Sequence, residues 1–122
     1  MAVSDFEAAL DSTDEVDLST TGRVSGRLTS RPVWFVREDG RLFLLPVTGT
    51  RSQWYRNLLK TPAIRLTAGG SQFAADAAVV TEPGTVEHIV ERFRAKYGAG
   101  EIAKYYQHPD VAVEVSLRVT GA

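Results

Sequence analysis

Val33-Trp34-Phe35-Val36-Arg37-Glu38-Asp39-Gly40-Arg41-Leu42-Phe43-Leu44-Leu45 sets two apolar runs on either side of an Asp-Gly pair. Asp-Gly readily adopts the two positive-φ conformations of a tight hairpin turn, and each flanking run has the β-branched and aromatic content of a strand. The stretch therefore reads as an antiparallel hairpin. Pro32 immediately before it allows the first strand to begin near Val33. Upstream, Val16 and Leu18 alternate with Asp17 and Ser19, the period of a half-buried strand that stops at Gly22, and Gly22 and Gly26 bracket a turn. Before that strand, Ser4 and Glu7 have capping-box spacing, which predicts a short surface helix at about 4–11 carrying Phe6 and Leu10.

Downstream, residues 48–53 are small and polar. Trp54, Leu58 and Leu59 then recur at helical spacing through Lys60 until Pro62 ends the pattern. Residues 63–67 alternate as a strand, Gly69-Gly70 turns the chain, and residues 73–81 return as its partner. Thr85 is placed to cap a helix whose Val86, Ile89, Val90, Phe93 and Tyr97 form one apolar stripe, with Gly98 as its stop. A short helix at 101–106 follows. Val111, Val113, Val115 and Leu117, alternating with Ala112, Glu114, Ser116 and Arg118, read as a closing strand. Six antiparallel strands with two or three helices, and no regular strand-helix alternation, predict an α+β, mostly β architecture. It is either a small barrel or an open sheet.

The 122 residues, 43% of them apolar, suffice for one core and one domain. No cysteine is present, which excludes thiolate and disulfide chemistry. The sequence shows no basic leader and no apolar run of membrane-spanning length, so the cytoplasm and no membrane partner are expected. Charge is uneven: six acids and no base up to Thr21, then nine bases against two acids from Arg23 to Arg65. The basic stretch suits either an anionic ligand or the wet face of strands. It lacks a nucleic-acid recognition motif, so no nucleic-acid partner is expected. His88 and His108 lie apart, and the pairs Asp14-Glu15 and Glu38-Asp39 fall in acidic or turn segments. No metal ligand set, catalytic side chain or dinucleotide fingerprint is expected.

Thr20-Thr21-Gly22-Arg23-Val24-Ser25-Gly26-Arg27, Pro32-Val33-Trp34-Phe35-Val36, Asp39-Gly40-Arg41-Leu42 and Trp54-Tyr55-Arg56-Asn57-Leu58 follow one another in an order that resembles the deazaflavin-dependent nitroreductase family. That family belongs to the flavin-reductase-like and pyridoxamine phosphate oxidase-like split barrels. The segment Arg94-Ala95-Lys96-Tyr97-Gly98 is also similar to a sister group of small split barrels. The resemblance implies a six-stranded antiparallel split β-barrel, a homodimer, and a cofactor groove between the subunits. It further implies a flavin- or deazaflavin-dependent oxidoreductase passing a hydride to a small electrophilic acceptor such as a quinone or nitroaromatic. The implied cofactor is a deazaflavin coenzyme of the 8-hydroxy-5-deazaflavin type, with FMN as the alternative. The other function class is a non-catalytic binding protein for a flavin, tetrapyrrole or lipid on the same barrel.

By the same resemblance, Arg31, Val33, Thr48, Gly49, Thr50, Arg51 and Trp54 are the candidate cofactor contacts. Independent chemistry supports the loop among them: glycine lets backbone approach an anion, hydroxyls donate to it, Arg51 adds charge, and a helix start points its positive end there. The chain departs from the family pattern in three places. Val47-Thr48-Gly49-Thr50 stands where a Ser-Lys-Gly-Gly loop is usual. Val24 or Thr29 stands at a family cationic position, with Arg27 or Arg31 as compensating cations. Of the family's ring-covering tyrosines Tyr97 is matched, while Gly100 and Ala103 occupy the other places. Trp34 and Trp54 serve either ring stacking or the core, and Tyr105 and Tyr106 either reach the groove or edge the dimer.

Overall fold

The computed structural model describes residues 3–106 and 109–117; His108 and Arg118 lie outside them. Among the described residues, seven strands form one antiparallel sheet: β1 (Glu15–Thr21), β2 (Leu28–Glu38), β3 (Arg41–Leu44), β4 (Ala63–Ala68), β5 (Ser71–Asp76), β6 (Ala78–Val80) and β7 (Ala112–Ser116). Their order is β5-β4-β1-β2-β3-β7-β6. β5 and β6 stand at opposite ends of that order yet only Ala77 separates them, so the chain itself carries the sheet from one edge to the other. The expected return strand at 73–81 is thus two strands, and the count is seven rather than six. At the corner the Ala77 N–H donates to the Pro62 carbonyl at 2.8 Å, which ends pairing with β4 and frees β6 to join β7.

The hairpin that decided the sequence reading is present as expected. Phe35 pairs with Leu44 and Glu38 with Arg41, and Asp39 and Gly40 take φ of 52° and 75°. β2, however, begins at Leu28 rather than near Val33. Residues 28–34 pair with β1 on one side, Pro32 opposite Asp17, while β3 reaches only residues 35–38. The other edge of residues 28–34 has no strand beside it among the described residues, so a proline lacking its N–H is tolerated there.

Both faces of the middle of the sheet are covered, which explains why the hairpin runs are apolar without alternation. Phe35, Leu42, Leu44, Val113 and Val115 point into the barrel, and Val36, Phe43, Leu45 and Ala112 face the helices. The outer layer is α3 (Pro83–Tyr97) with α4 (Ala99–Tyr105). The expected stripe of α3 is buried at Val86, Ile89, Val90 and Phe93. Its cap differs from expectation. Glu82, not Thr85, is the N-cap, its carboxylate accepting from the Gly84 and Thr85 N–H groups at 2.8 Å each. Those bonds hold the Glu82 carboxyl below its ordinary range. Pro83 fits the first helical position, where no N–H is needed. Gly98 ends the helix at φ 99°, a conformation that glycine accepts readily.

α1 (Val3–Leu10) takes in Ser4, so the helix begins before the position expected for its cap. Nor is it only a surface element. Phe6 and Leu10 are buried at the barrel end, with Phe6 stacked on Phe73 at 5.5 Å. No helix among the described residues is long and apolar enough to cross a membrane.

Candidate functional site

Two of the sequence segments that carried the family resemblance meet in one hydrogen-bond cluster. The turn after β1 closes on itself, Gly26 N–H to the Gly22 carbonyl at 2.9 Å and Gly22 N–H to the Arg27 carbonyl at 2.8 Å. Arg23 then leaves that turn toward α2 (Gln53–Lys60). Its guanidinium donates to Asn57 Oδ1 at 2.9 Å and Gln53 Oε1 at 2.7 Å, its backbone N–H reaches Asn57 Oδ1 at 3.2 Å, and Lys60 Nζ donates to its carbonyl at 2.9 Å. Asn57, buried, also donates to Thr20 Oγ1 at 3.5 Å. The conspicuous residues of both segments thus fix the helix to the turn. Leu59, expected on the apolar face of α2, points outward instead and is exposed.

This clamp holds the start of α2 against a groove of about 830 Å³, within the usual size range of small-molecule sites. One side is the unpaired edge of β2, with Arg31, Val33 and Trp34. Another is the loop after β3, with Thr48 and Arg51, leading to Trp54. The third is the end of α4 with Tyr105 and Tyr106. Five of the seven candidates therefore share one groove: Arg31, Val33, Thr48, Arg51 and Trp54. The remaining two lie beside it. Gly49, at φ 60°, is buried and starts a 3₁₀ turn (Gly49–Arg51), its N–H donating to the Pro46 carbonyl at 3.0 Å. Thr50 donates both its N–H (3.2 Å) and its hydroxyl (3.1 Å) to the Asp110 carboxylate. It lines a smaller neighbouring cavity with Arg51 and Lys104. The Thr50–Asp110 link ties the loop to the segment before β7.

The loop end of the groove is rich in donors. Arg31 and Arg51 are exposed and make no ion pair among the described residues. Ser52 caps α2 by accepting from the Tyr55 N–H at 3.4 Å. The N–H groups of Gln53 and Trp54, in the first turn, have no intrahelical acceptor. Arg51, a hydroxyl and a helix start form a donor set that fits an anionic group such as a phosphate, with Arg31 on the β2 side of the same groove and Glu15 and Glu101 also among its lining.

The other end is aromatic. Trp34 is stacked on Tyr97 with ring centroids 4.3 Å apart and planes 5° from parallel, and Tyr105 meets it edgewise at 5.7 Å. Tyr97, matched by resemblance to a ring-covering tyrosine, stands behind Trp34 rather than on the groove. Its hydroxyl accepts from the Phe35 N–H at 3.1 Å and donates to the Asp14 carbonyl at 2.7 Å. Burial pushes its pKa up to about 12. Lys96 steadies the same spot, lying over the Phe35 ring at 3.6 Å and donating to the Phe35 carbonyl at 2.9 Å. Trp34 is thus braced from behind, and Trp54 is nearly buried in the barrel core while also lining the groove. His88 pairs with Glu38 on the surface at 2.8 Å, away from the groove. Among the described residues no set of three His, Cys, Asp or Glu is placed to hold a metal. Tyr105 and Tyr106 on the groove are the residues that sequence reasoning left open, because their position depends on where α4 packs.

Comparison with known proteins agrees with the fold. The family model described as F420H(2)-dependent quinone reductase matches residues 5–119. No curated protein matches the sequence. Among solved structures, an F420-H2 dependent reductase (FDR-A) superposes with a TM-score of 0.66 at 20% identity, covering 84% of this chain and 94% of that one. The conserved hypothetical protein Rv2991 from Mycobacterium tuberculosis gives 0.74 at 20% identity, covering 98% of this chain and 82% of that one. A chain solved as a domain-swapped dimer gives 0.67 at 20% identity, covering 93% and 95%.

Proposed function

The chain belongs to the F420H(2)-dependent quinone reductase family, and is a deazaflavin-dependent oxidoreductase using F420; from this we propose where on the groove each part of the chemistry sits. The anionic group of the cofactor lies at Thr48, Arg51 and the start of α2, with Arg31 as a second cation. Its ring lies along Val33 and the braced Trp34. When bound, the reduced cofactor supplies a hydride. The chain's own residues bind, orient and exclude water, and no side chain has to act as nucleophile or base. The clamp from Arg23 to Asn57 keeps the loop and α2 in register with the β2 edge, so cation and aromatic surface keep a fixed separation. The acceptor is a small electrophile, a quinone or nitroaromatic, which enters from the open side. The observation that carries this reading is the convergence of two arginines without ion-pair partners among the described residues, a helix start and a braced indole on one groove.

Titrating the protein with F420 and separately with FMN, followed by the absorbance of each ring, tests it. Micromolar or tighter binding of F420 with much weaker binding of FMN is expected. Equal binding of both, or none, would sink the assignment of the groove.

We also propose that two copies pair to complete the site, because the groove is open along residues 28–34, where the β2 edge has no neighbour among the described residues. Sedimentation should report about twice the chain mass. A species of single-chain mass that binds F420 with full affinity would contradict it.

A further inference from the structure

Tyr106 is only 6% exposed, against 45% for its neighbour Tyr105, yet both line the groove. Its ring is fixed by Phe93, at 6.0 Å between centroids, and by Trp34 at 6.2 Å. Its hydroxyl has no hydrogen-bond partner among the described residues. No polar side-chain atom among them is both buried and unpartnered, so this hydroxyl reaches solvent, on a residue that lines the groove. A packed phenol with a free hydroxyl at a ligand site is a donor whose oxygen is positioned before any ligand arrives, an arrangement that stabilises developing negative charge.

We propose that Tyr106 is a catalytic residue whose hydroxyl donates a hydrogen bond to the acceptor oxygen on which negative charge collects during reduction. This rests on the reading of the groove as the site of hydride transfer. For a quinone, the acceptor gains a hydrogen nucleus with two electrons, the cofactor is oxidised by the same two electrons, and one carbonyl oxygen becomes an oxyanion. That oxygen then takes a proton from water to give the hydroquinone. Tyr106 keeps its own proton throughout: burial raises its pKa, which makes it a poor acid and leaves it a donor across the working range. Trp34 and Phe93 hold the phenol.

The test uses Tyr106→Phe, which removes one oxygen atom, beside Tyr105→Phe. Each protein is first titrated with F420, then loaded with reduced F420 and mixed with a benzoquinone, and the return of oxidised-cofactor absorbance is timed. Tyr106→Phe should slow reoxidation roughly 100-fold. Its F420 affinity and melting temperature should stay at wild-type values. A readout free of turnover is the binding of 4-nitrophenolate, a stable aromatic oxyanion, to the F420-loaded protein by its absorption shift; the variant should bind it about 10-fold or more weakly. Wild-type reoxidation and phenolate binding in Tyr106→Phe would overturn the assignment. So would an equal slowing in Tyr105→Phe, which would assign the effect to the aromatic wall. A wild-type protein that does not bind F420 in the first titration would overturn the groove reading itself, and this inference with it.

Discussion

Arg51→Ala should weaken binding of F420 about 10- to 150-fold, the effect of removing one charge-assisted hydrogen bond of roughly 1.5 to 3 kcal/mol. Arg51 stands at the end of the 3₁₀ turn, exposed and without an ion-pair partner among the described residues, so its removal leaves no buried group stranded and folding should barely change. The loss should be confined to the phosphorylated cofactor. A bare deazaflavin ring lacking phosphate should bind the variant nearly as well as the wild type, since only the anionic group meets the guanidinium. Titrating both ligands into both proteins distinguishes the outcomes. Equal losses would indicate damage to the groove as a whole, and no loss for either would move the anion to Arg31 or Arg27.

Phe93→Ala should damage the fold severely, lowering the free energy of unfolding by about 3 to 5 kcal/mol. Phe93 is fully buried at the centre of the layer between the sheet and α3, with its ring 5.9 Å from that of Tyr97 and 6.0 Å from that of Tyr106. Truncation opens a cavity that the neighbouring Ile89, Val90 and Ile102 cannot fill without moving α4. The expected readout is a fall in melting temperature of roughly 10 to 25 °C. That is a large share of the stability of a domain this size. F420 affinity should fall with it even well below the melting temperature, because Trp34 and Tyr106 lose the surface they lean on. A destabilisation below about 1 kcal/mol would mean that the layer repacks and that the aromatic end of the groove does not depend on it.

Those two positions were unequally legible in the sequence. Phe93 belonged to a strong helical stripe, and burial of such a stripe follows from its period alone. Arg51 was recognisable through loop chemistry together with resemblance. Asp39-Gly40 set the register of the central hairpin because few residue pairs tolerate two consecutive positive φ values. The division at Ala77 had no signal: Ala74-Ala75-Asp76-Ala77-Ala78 carries small residues that pack equally well on either side of a corner, and only the pairing partners decide where one strand ends. The Glu82 cap was hidden for a related reason. A glutamate is an uncommon cap, and its suitability depends on Pro83 and Gly84 folding the first turn back over its carboxylate. Arg23 was visible as part of a motif but its partners were not, since Gln53 and Asn57 lie 30 and 34 residues further on. Tyr106 was the least legible, because an aromatic residue after a short helix faces wherever that helix docks.

The unpaired side of residues 28–34 has a bearing on the life of the chain before it meets a partner. An open strand edge offers a row of amide and carbonyl groups to any other extended chain, and in a newly made or diluted protein that is how misassembly and fibrous aggregation begin. Pro32 breaks the row by removing one donor, and Arg31 places a charge within it. Gatekeepers of this kind oppose promiscuous pairing by depriving an intruding strand of a continuous ladder. The segment that leaves the groove open to ligand thus also carries two residues that oppose the addition of a foreign strand.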